Sequence, residues 1–309
     1  MRGCGLADWD DPIGLIEIGE PRPPIGGELL VAVDAAGIGQ WDGFVARREW
    51  DVGLEPPAAL SVEGTGRVVA VGPGVAEVHV GDAVMGHVAP LPGGSGFCAD
   101  RVLAAAAQMT PRPPALTPVD AAALPVAGLT AAQALDALAL AGGERLLITG
   151  AAGATGALAL QLAARLGAEV IVTASEAHAQ RLRDLGAGEV IDNHDPGALR
   201  RLAASVDAAL VAARGTADAA MLAVRDGGRL CSITSDAPPA TRGITSGDLF
   251  VRPDATKLAW LARLVAANAL VLATESTPLD DAPSTFRRVI AGQAAGAKHV
   301  VVVGGGPQP

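Results

Sequence analysis

Two patterns of apolar residues divide the chain. From Glu28 to about Arg112, short apolar runs rich in β-branched residues alternate with Gly and Pro, which is typical of antiparallel strands joined by turns. After the proline-rich segment PRPPALTPVD, apolar runs alternate with helical stretches, which indicates a parallel α/β layer. The change of pattern predicts a domain boundary near Pro118.

The second pattern contains apolar runs that predict the strands of one sheet. Parallel neighbours need crossover connections of about a dozen residues or more, and the spacing of these runs satisfies that requirement. We therefore predict a doubly wound parallel sheet of the Rossmann type. The runs are LLIT from Leu146, EVIVT from Glu169, EVID from Glu189, DAALVA from Asp207, GRLCSI from Gly228 and DLFV from Asp248.

The last stretch of the chain, from about Asn268, ends in the apolar run KHVVVV. We expect this run to return as a strand and to pair with the first domain. The predicted domains are therefore residues 1–118 together with 268–309, and residues 119–267.

A glycine-rich turn joins the first two strands of the predicted sheet through a helix. Gly150, Gly153 and Gly156 are spaced G-x-x-G-x-x-G within LLITGAAGATGALAL, and Ala151 replaces the first glycine of G-x-G-x-x-G. No acidic residue opens the helix, so its N–H groups and dipole are available for a phosphate. The alternative is an ordinary glycine-rich turn, but the flanking strands favour a dinucleotide site.

The residues after the second strand favour NADPH over NADH. NAD-binding proteins usually place an Asp or Glu there for the ribose 2′-hydroxyl, whereas this chain has Thr173. Ser175, His178 and Arg181 follow and can bind a 2′-phosphate. Glu176 is a contrary feature, and a solvated helix face would explain the same polar residues equally well.

Composition and charge limit the partners. The formal net charge of −10 argues against nucleic acid and anionic membranes, so a small-molecule substrate fits better. The three cysteines are far apart in the sequence, which suits a reducing compartment. The first residues lack the basic and apolar blocks of a secretory signal, and no apolar run is long enough to span a membrane. We therefore expect a cytoplasmic protein.

The motifs together, in their order and spacing, resemble the medium-chain dehydrogenase/reductases, in particular their zinc-independent quinone oxidoreductase branch. The resemblance extends over nearly the whole chain and rests on AAGIGQWD, EGTGRVVAVGPGV, VGDAVMG, AAALPVAGLTAAQAL, the glycine turn, TASEAHAQRLRDLGAGEVID and DGGRLCSIT. It implies an α/β fold: a mostly antiparallel, GroES-like catalytic domain, a Rossmann domain, and a substrate cleft between them.

The resemblance also implies which residues bind the cofactor. Thr130 would approach its nicotinamide end or phosphates, and Ser175 and His178 its 2′-phosphate. Residues at the pyrophosphate would be Ala152, Gly153, Ala154 and Thr155, with Gly150 of the same turn also in the cofactor site. Those lining the nicotinamide would be Ala212, Ile233, Phe250 and Val251.

Zinc chemistry is not expected. The zinc alcohol dehydrogenases of this superfamily have a Cys and a His where this chain has Gly39 and Val62. The five histidines show no ligand spacing, and the cysteines do not cluster.

The catalytic residues stay unknown at this point. Quinone reductases commonly have an Asn at position 39 and a tyrosine where this chain has Phe44, and the chain contains no tyrosine at all. By motif position Gln40, Trp41 and Phe44 would line the substrate cleft, and His87 would reach it unless it is an ordinary loop histidine. Asp42 is expected to be a structural residue that accepts hydrogen bonds in its turn.

Three functions remain open. The first is an NADPH-dependent reductase of quinones or α,β-unsaturated carbonyl compounds that transfers hydride without zinc. The second is a non-catalytic NADPH-binding or sensing protein, and the third is a non-redox enzyme of specialised metabolism, such as a cyclase. A homodimer is also expected, because the strand DLFV would leave an exposed sheet edge, with Leu249 and Val251 near the twofold axis.

Overall fold

The computed structural model describes residues 1–195, 197, 199–293 and 296–304. The chain forms two units, one made of Met1–Val126 with Pro253–Pro309 and the other of Ala127–Arg252. Within the described ranges, no helix combines the length and the apolar character needed to cross a membrane.

The first unit is mostly β. Its elements are β1 (Arg2–Leu6), β2 (Gly14–Glu17), β3 (Glu28–Ile38), α1 (Trp41–Ala46), β4 (Ala58–Ala59), β5 (Glu63–Val71), β6 (Ala83–His87), β7 (Arg101–Ala105), β8 (Met109–Pro111) and α2 (Pro118–Ala123), with a 3-10 turn at Ala106–Gln108. The helix α3 (Pro125–Ala137) crosses the division between the units.

The second unit alternates strand and helix. Its elements are β9 (Arg145–Thr149), α4 (Ala154–Arg165), β10 (Glu169–Ala174), α5 (Glu176–Asp184), β11 (Glu189–Asp192), β12 (Val206–Val211), α6 (Ala217–Ala223), β13 (Val224–Ser232) and β14 (Thr245–Asp248), with a 3-10 turn at Leu199–Leu202. After it, the chain returns to the first unit with α7 (Ala255–Ala266), β15 (Thr274–Pro278), a 3-10 turn at Leu279–Asp281, α8 (Ala282–Ile290) and β16 (Lys298–Val302).

The larger sheet of the first unit has the order β15-β16-β3-β5-β6-β8, and β7 also pairs with β3. Its pairings are antiparallel except for β15 with β16. The predicted return of the last strand is confirmed, since Val300 lies opposite Gly37 of β3. A smaller sheet has the order β2-β1-β4.

The sheet of the second unit is parallel throughout and has the order β11-β10-β9-β12-β13-β14. Numbered along the chain, the strand order is 3-2-1-4-5-6, which is the doubly wound arrangement. In such sheets ligands bind where the strand order reverses, which is here between β9 and β12. The predicted fold class is therefore confirmed: a Rossmann sheet and a mostly antiparallel β domain.

The divisions of the chain differ from those predicted. The prediction placed them at 118/119 and 267/268, whereas the structure has them at 126/127 and 252/253. The physical reason is packing: α2 lies against β3, β5 and β16, and α7 lies against β8. Both helices therefore belong to the first unit.

The last strand of the Rossmann sheet was misplaced. The prediction began it at Asp248, but β14 ends there and pairs with β13 from Thr245 opposite Arg229 to Asp248 opposite Ser232. Three of its four residues are exposed, so no apolar pattern marks it. Leu249 and Val251 lie just beyond the strand, and the expected homodimer stays a prediction.

Candidate functional site

The turn between β9 and α4 needs two of its glycines for steric reasons. Gly150 has φ +71°, and a Cβ there would fall 2.6 Å from the carbonyl oxygen of Ala212. A Cβ on Gly156 would fall 2.5 Å from the carbonyl oxygen of Gly150. The strand, the helix and the loop after β12 therefore approach one another as closely as backbone allows.

The first turn of α4 is open to an anion. Gly153 is the residue before the helix, it has no side chain to cap the N–H groups, and the first turn contains no acidic residue. A Cβ on Gly153 would meet only the carbonyl oxygen of Gly150, at 3.5 Å, so the approach to its backbone is uncrowded. Such a terminus with free N–H groups fits the pyrophosphate of a dinucleotide.

Most of the predicted cofactor residues lie at the carboxyl ends of the parallel strands of the Rossmann sheet. Because its strands are parallel, the residues that follow them lie at the same edge: Gly150 after β9, Ser175 after β10, Ala212 after β12 and Ile233 after β13. Phe250 and Val251 follow β14, and Phe250 is 69% exposed. Thr130 is buried in α3.

No carboxylate stands at the end of β10. The strand ends in the buried residues Thr173 and Ala174, and Ser175 precedes α5 without making a capping bond through its hydroxyl. His178 is half-buried one turn into α5. Arg181 lies close to the glycine turn, since its Nη2 donates to the carbonyl oxygen of Ala152 at 2.6 Å.

A cavity of about 370 Å³ opens near the ends of β10 and β11, which the sequence did not predict. Its lining residues are Thr173, Asp192, Asn193, Asp195, Leu199, Arg200, Thr216, Asp218, Ala219 and Leu222. They come from several segments, so no local motif could have indicated this space.

The first unit contains a buried ion pair on the larger sheet. Nζ of Lys298 donates to Oε1 of Glu63 at 2.6 Å and to the carbonyl oxygen of Ile38 at 2.6 Å. The other carboxylate oxygen of Glu63 accepts from the N–H of Val126 at 2.7 Å. Burial raises the pKa of Glu63, while Lys298 and this N–H lower it. Neither residue of the pair was predicted from the sequence as part of a site.

Asp42 is fully buried near this pair and accepts hydrogen bonds from the N–H groups of Gly39, at 2.9 Å, and Ser61, at 3.1 Å. The predicted structural role of Asp42 is confirmed by these bonds. Burial raises its pKa to about 7, although the two N–H groups and Lys298 act in the opposite direction.

Trp41 folds back over Gly39. A Cβ on Gly39 would overlap the indole of Trp41, so position 39 has no room for a side chain. Nζ of Lys298 lies over the same ring, 4.2 Å from the ring centroid. The residue is half-buried, and its Nε1 atom is buried without a hydrogen-bond partner.

His87 is buried on the same face of the sheet as Glu63, because the two residues are directly opposite in the β5–β6 pairing. Its Nδ1 is 3.3 Å from the carbonyl oxygen of Val62, so Nδ1 has the proton and Nε2 presents a lone pair without a partner. Burial lowers the pKa of His87 to about 4, so the ring is neutral at physiological pH.

Lys298, Glu63, Trp41, Asp42 and His87 are called here the Lys298 cluster. The remaining two predicted cleft residues lie apart from it. Gln40 is exposed, and Phe44 is half-buried with the guanidinium of Arg47 5.3 Å from its ring centroid. The structure thus brings Trp41 and His87 together with Glu63 and Lys298, and it leaves Gln40 and Phe44 outside.

Two protein families match separate parts of the chain. Residues 26–114 match the family described as alcohol dehydrogenase GroES-like domain, and residues 185–301 match the family described as zinc-binding dehydrogenase. Each match covers less than half of the chain, and they lie mainly in different units.

One similar protein is far longer than this chain. Polyketide synthase GfsB of Streptomyces halstedii is 43% identical over 162 residues, which are 52% of this chain and 3% of that protein. The chain therefore spans only a small part of the length of this curated relative.

Solved structures match over almost the entire chain. The quinone oxidoreductase from Coxiella burnetii is 26% identical with a TM-score of 0.86, covering 98% of this chain and 99% of that one. An NAD-dependent alcohol dehydrogenase is 25% identical with a TM-score of 0.85, covering 98% and 100%.

The zinc that the second family is named for does not fit the residues present. At the two positions where the resemblance to zinc alcohol dehydrogenases places a Cys and a His, this chain has Gly39, which the indole of Trp41 covers, and Val62, which is buried and has no ligand atom in its side chain. Among the residues that the structure describes, no group of three or more His, Cys, Asp or Glu side chains could hold a metal ion.

Three observations indicate the same superfamily: the family matches, the two sheets and the glycine turn. The Rossmann unit supplies an edge suited to a dinucleotide, and the β unit corresponds to the GroES-like domain of the matching family. Quinone oxidoreductases and alcohol dehydrogenases are among the structures of the same fold. The chain belongs to the medium-chain dehydrogenase/reductase superfamily of oxidoreductases.

Proposed function

We propose that the protein is an NADPH-dependent reductase of α,β-unsaturated carbonyl compounds or quinones that works without zinc. The observation that supports this most is the glycine turn: Gly150 and Gly156 bring backbone together around an uncapped helix start. The strand beside it ends in Thr173 and Ala174 rather than in a carboxylate. A dinucleotide with a 2′-phosphate matches both features.

In this proposal the chain's own residues bind and orient the cofactor. The residues at the pyrophosphate would be Ala152, Gly153, Ala154 and Thr155, with the uncapped N–H groups of the first turn of α4 as donors. Ser175, His178 and Arg181 would bind the 2′-phosphate, and the cavity near Asp192 offers space for the adenosine half. The residues toward the nicotinamide, which supplies the hydride when bound, would be Ala212, Ile233, Phe250 and Val251. Thr130 would approach the nicotinamide end or the phosphates of the cofactor.

The substrate class is proposed from the neighbours and from the side chains. A quinone oxidoreductase shares the fold, and part of a polyketide synthase shares sequence, so carbonyl compounds that accept hydride are the first substrates to test. No tyrosine exists in the chain to donate a proton. Water would therefore complete the reduction, and positioning with hydrogen-bond donors would be the protein's contribution.

Two measurements test the proposal. NADPH consumption is followed with a panel of enones and quinones, with elemental analysis of the same sample for zinc. Titration calorimetry compares NADPH with NADH, because one solved relative is NAD-dependent. We expect NADPH to bind more tightly and Ser175→Asp to reverse the preference by repelling the 2′-phosphate. Tighter binding of NADH by the wild type would refute the cofactor assignment.

The same panel separates the alternatives. Product formation without cofactor turnover would identify a non-redox enzyme such as a cyclase. Tight NADPH binding with no turnover of any compound would favour a binding or sensing protein.

A further inference from the structure

Unpartnered polar atoms in the protein interior indicate where a ligand could bind. Among the described residues, buried side-chain nitrogens without a hydrogen-bond partner occur at Trp41, His87, Arg229 and His299. Arg229 has an ion pair with Glu144, and His299 lies 3.5 Å from Glu275. Trp41 and His87 are left, and both belong to the cluster around Lys298.

The indole of Trp41 packs against Gly39 and against Lys298. A Cβ on Gly39 would overlap the ring, and Nζ of Lys298 lies 4.2 Å from the ring centroid. Lys298 is itself fixed by Glu63 and by the carbonyl oxygen of Ile38. The indole N–H has no acceptor among the described residues, and a buried donor that stays unsatisfied is costly.

The position of Lys298 also affects the strength of this donor. A cation near an aromatic ring attracts π-electron density, and polarised groups make stronger hydrogen bonds in a low-dielectric interior. The indole N–H is thus a polarised donor that cannot accept a hydrogen bond itself. Its natural partner is a ligand oxygen with a partial negative charge.

We propose that Nε1–H of Trp41 binds the carbonyl oxygen of the substrate and stabilises the charge that develops on it. This inference rests on the proposed function. When hydride adds to the β-carbon of an enone, the C=C pair shifts and the carbonyl oxygen becomes an enolate oxygen. Water then protonates the α-carbon, so one hydride and one proton give the saturated ketone. The N–H keeps its own proton throughout.

Kinetics test this role. Trp41→Phe keeps a ring over Gly39 and removes the N–H. We expect kcat for 2-cyclohexen-1-one to fall by roughly 100-fold, the order seen when one oxyanion donor is lost, with NADPH affinity within twofold. Trp260→Phe, a substitution of the 41% exposed tryptophan of α7, is the matched control and should retain full activity. A fall of less than tenfold in Trp41→Phe overturns the proposal.

A second measurement does not depend on activity. The chain has four tryptophans, so a ¹⁵N-tryptophan sample gives four indole N–H signals. They are assigned by substituting Trp9, Trp50 and Trp260 with Phe, which identifies Trp41 by elimination even if Trp41→Phe misfolds. We expect 2-cyclohexen-1-one with NADP⁺ to move the Trp41 signal downfield and to leave that of Trp260 in place.

The outcomes separate this inference from the proposed function. A downfield shift without NADPH consumption by any compound would support the Trp41 site and reject the reductase. NADPH consumption with an unmoved Trp41 signal would reject the Trp41 site and support the reductase.

Discussion

The glycine turn and the Lys298 cluster hold their polar groups in opposite ways. The turn uses backbone N–H groups from one contiguous segment and has no room for a Cβ at Gly150 or Gly156. The cluster uses side chains from segments far apart in sequence, since Glu63 and Lys298 are 235 residues apart. The turn should therefore be more sensitive to added side-chain volume than to a change of charge. The cluster should be more sensitive to the loss of one charge.

The largest effect is expected from Lys298→Met. The substitution leaves the fully buried Glu63 carboxylate without its cation, so the free energy of unfolding should fall by about 3–5 kcal/mol. Urea unfolding followed by tryptophan fluorescence reports this unit alone, because Trp9, Trp41, Trp50 and Trp260 all lie in it.

Two controls accompany this measurement. Arg101→Met breaks an exposed pair with Glu20 and should cost at most about 1 kcal/mol. The double variant Lys298→Met with Glu63→Leu removes both charges and should recover most of the loss. Equal losses in Lys298→Met and Arg101→Met would contradict the comparison.

A smaller effect is expected from Gly156→Ala. The added Cβ would push α4 away from Gly150, and overpacking of this kind costs about 1–3 kcal/mol. If the displaced helix start loses that free energy from cofactor binding, NADPH affinity falls by roughly 5- to 150-fold. Gly247→Ala in β14 is the control, since a Cβ there meets nothing within 4 Å. Unchanged NADPH binding by Gly156→Ala in titration calorimetry would show that the turn is not shape-limited.

The pH dependence of stability isolates two buried groups of the cluster. The pKa of Asp42 is raised from 3.8 to about 7, so its contribution to stability is complete below pH 4 and is lost as pH rises to 7. The pKa of His87 is lowered from 6.5 to about 4, so its contribution is present above pH 6.5 and is lost as pH falls to 4. Between pH 4 and 6.5 the two groups therefore change the unfolding free energy in opposite directions.

Substituting one group at a time should therefore expose the other. Between pH 4 and 6.5, the unfolding free energy of Asp42→Asn should rise with pH relative to the wild type, by about 1.4 kcal/mol per unit. That of His87→Leu should fall relative to the wild type by a similar amount. Parallel pH profiles for the wild type and both variants, in urea titrations, would count against these pKa shifts.

The smallest effect is expected from Thr149→Val, beneath the glycine turn. The Thr149 hydroxyl is 2.8 Å from that of Thr216, which is also 2.7 Å from the carbonyl oxygen of Ala213. Thr216 therefore keeps a partner, and the loss should be about 1 kcal/mol. Hydrogen exchange of the β9 amides measures it. A loss as large as that of Lys298→Met would mean that side chains, not backbone, hold this turn.

Much of the fold could be predicted because it depends on local patterns. The spacing of apolar runs predicted the parallel sheet, and the glycine spacing predicted the turn of Gly150 and Gly156. The strand β14 was misplaced because an exposed edge strand needs no apolar residues, so DLFV looked more strand-like than TSGD. The prolines before Pro118 mark a loop within the first unit rather than its end.

The cluster could not be predicted in the same way. Its residues meet only through the pairing of β16 with β3 and of β5 with β6, which a single sequence does not reveal. A lysine that opens the apolar run KHVVVV was the one available indication of a buried cation. Gly39 looked like a lost functional side chain, whereas in the structure Trp41 fills its space.

The distance in sequence between Glu63 and Lys298 also has a consequence for synthesis. At about 5–20 residues per second, the ribosome adds the lysine roughly 12–47 s after the glutamate, since 235 residues separate them. The segment Ala127–Arg252 is translated in that interval and can fold first. Before Lys298 is synthesised, Glu63 has no lysine to pair with, so the nascent β unit must keep this carboxylate hydrated or protonated. Its interior can close only when the final strand arrives.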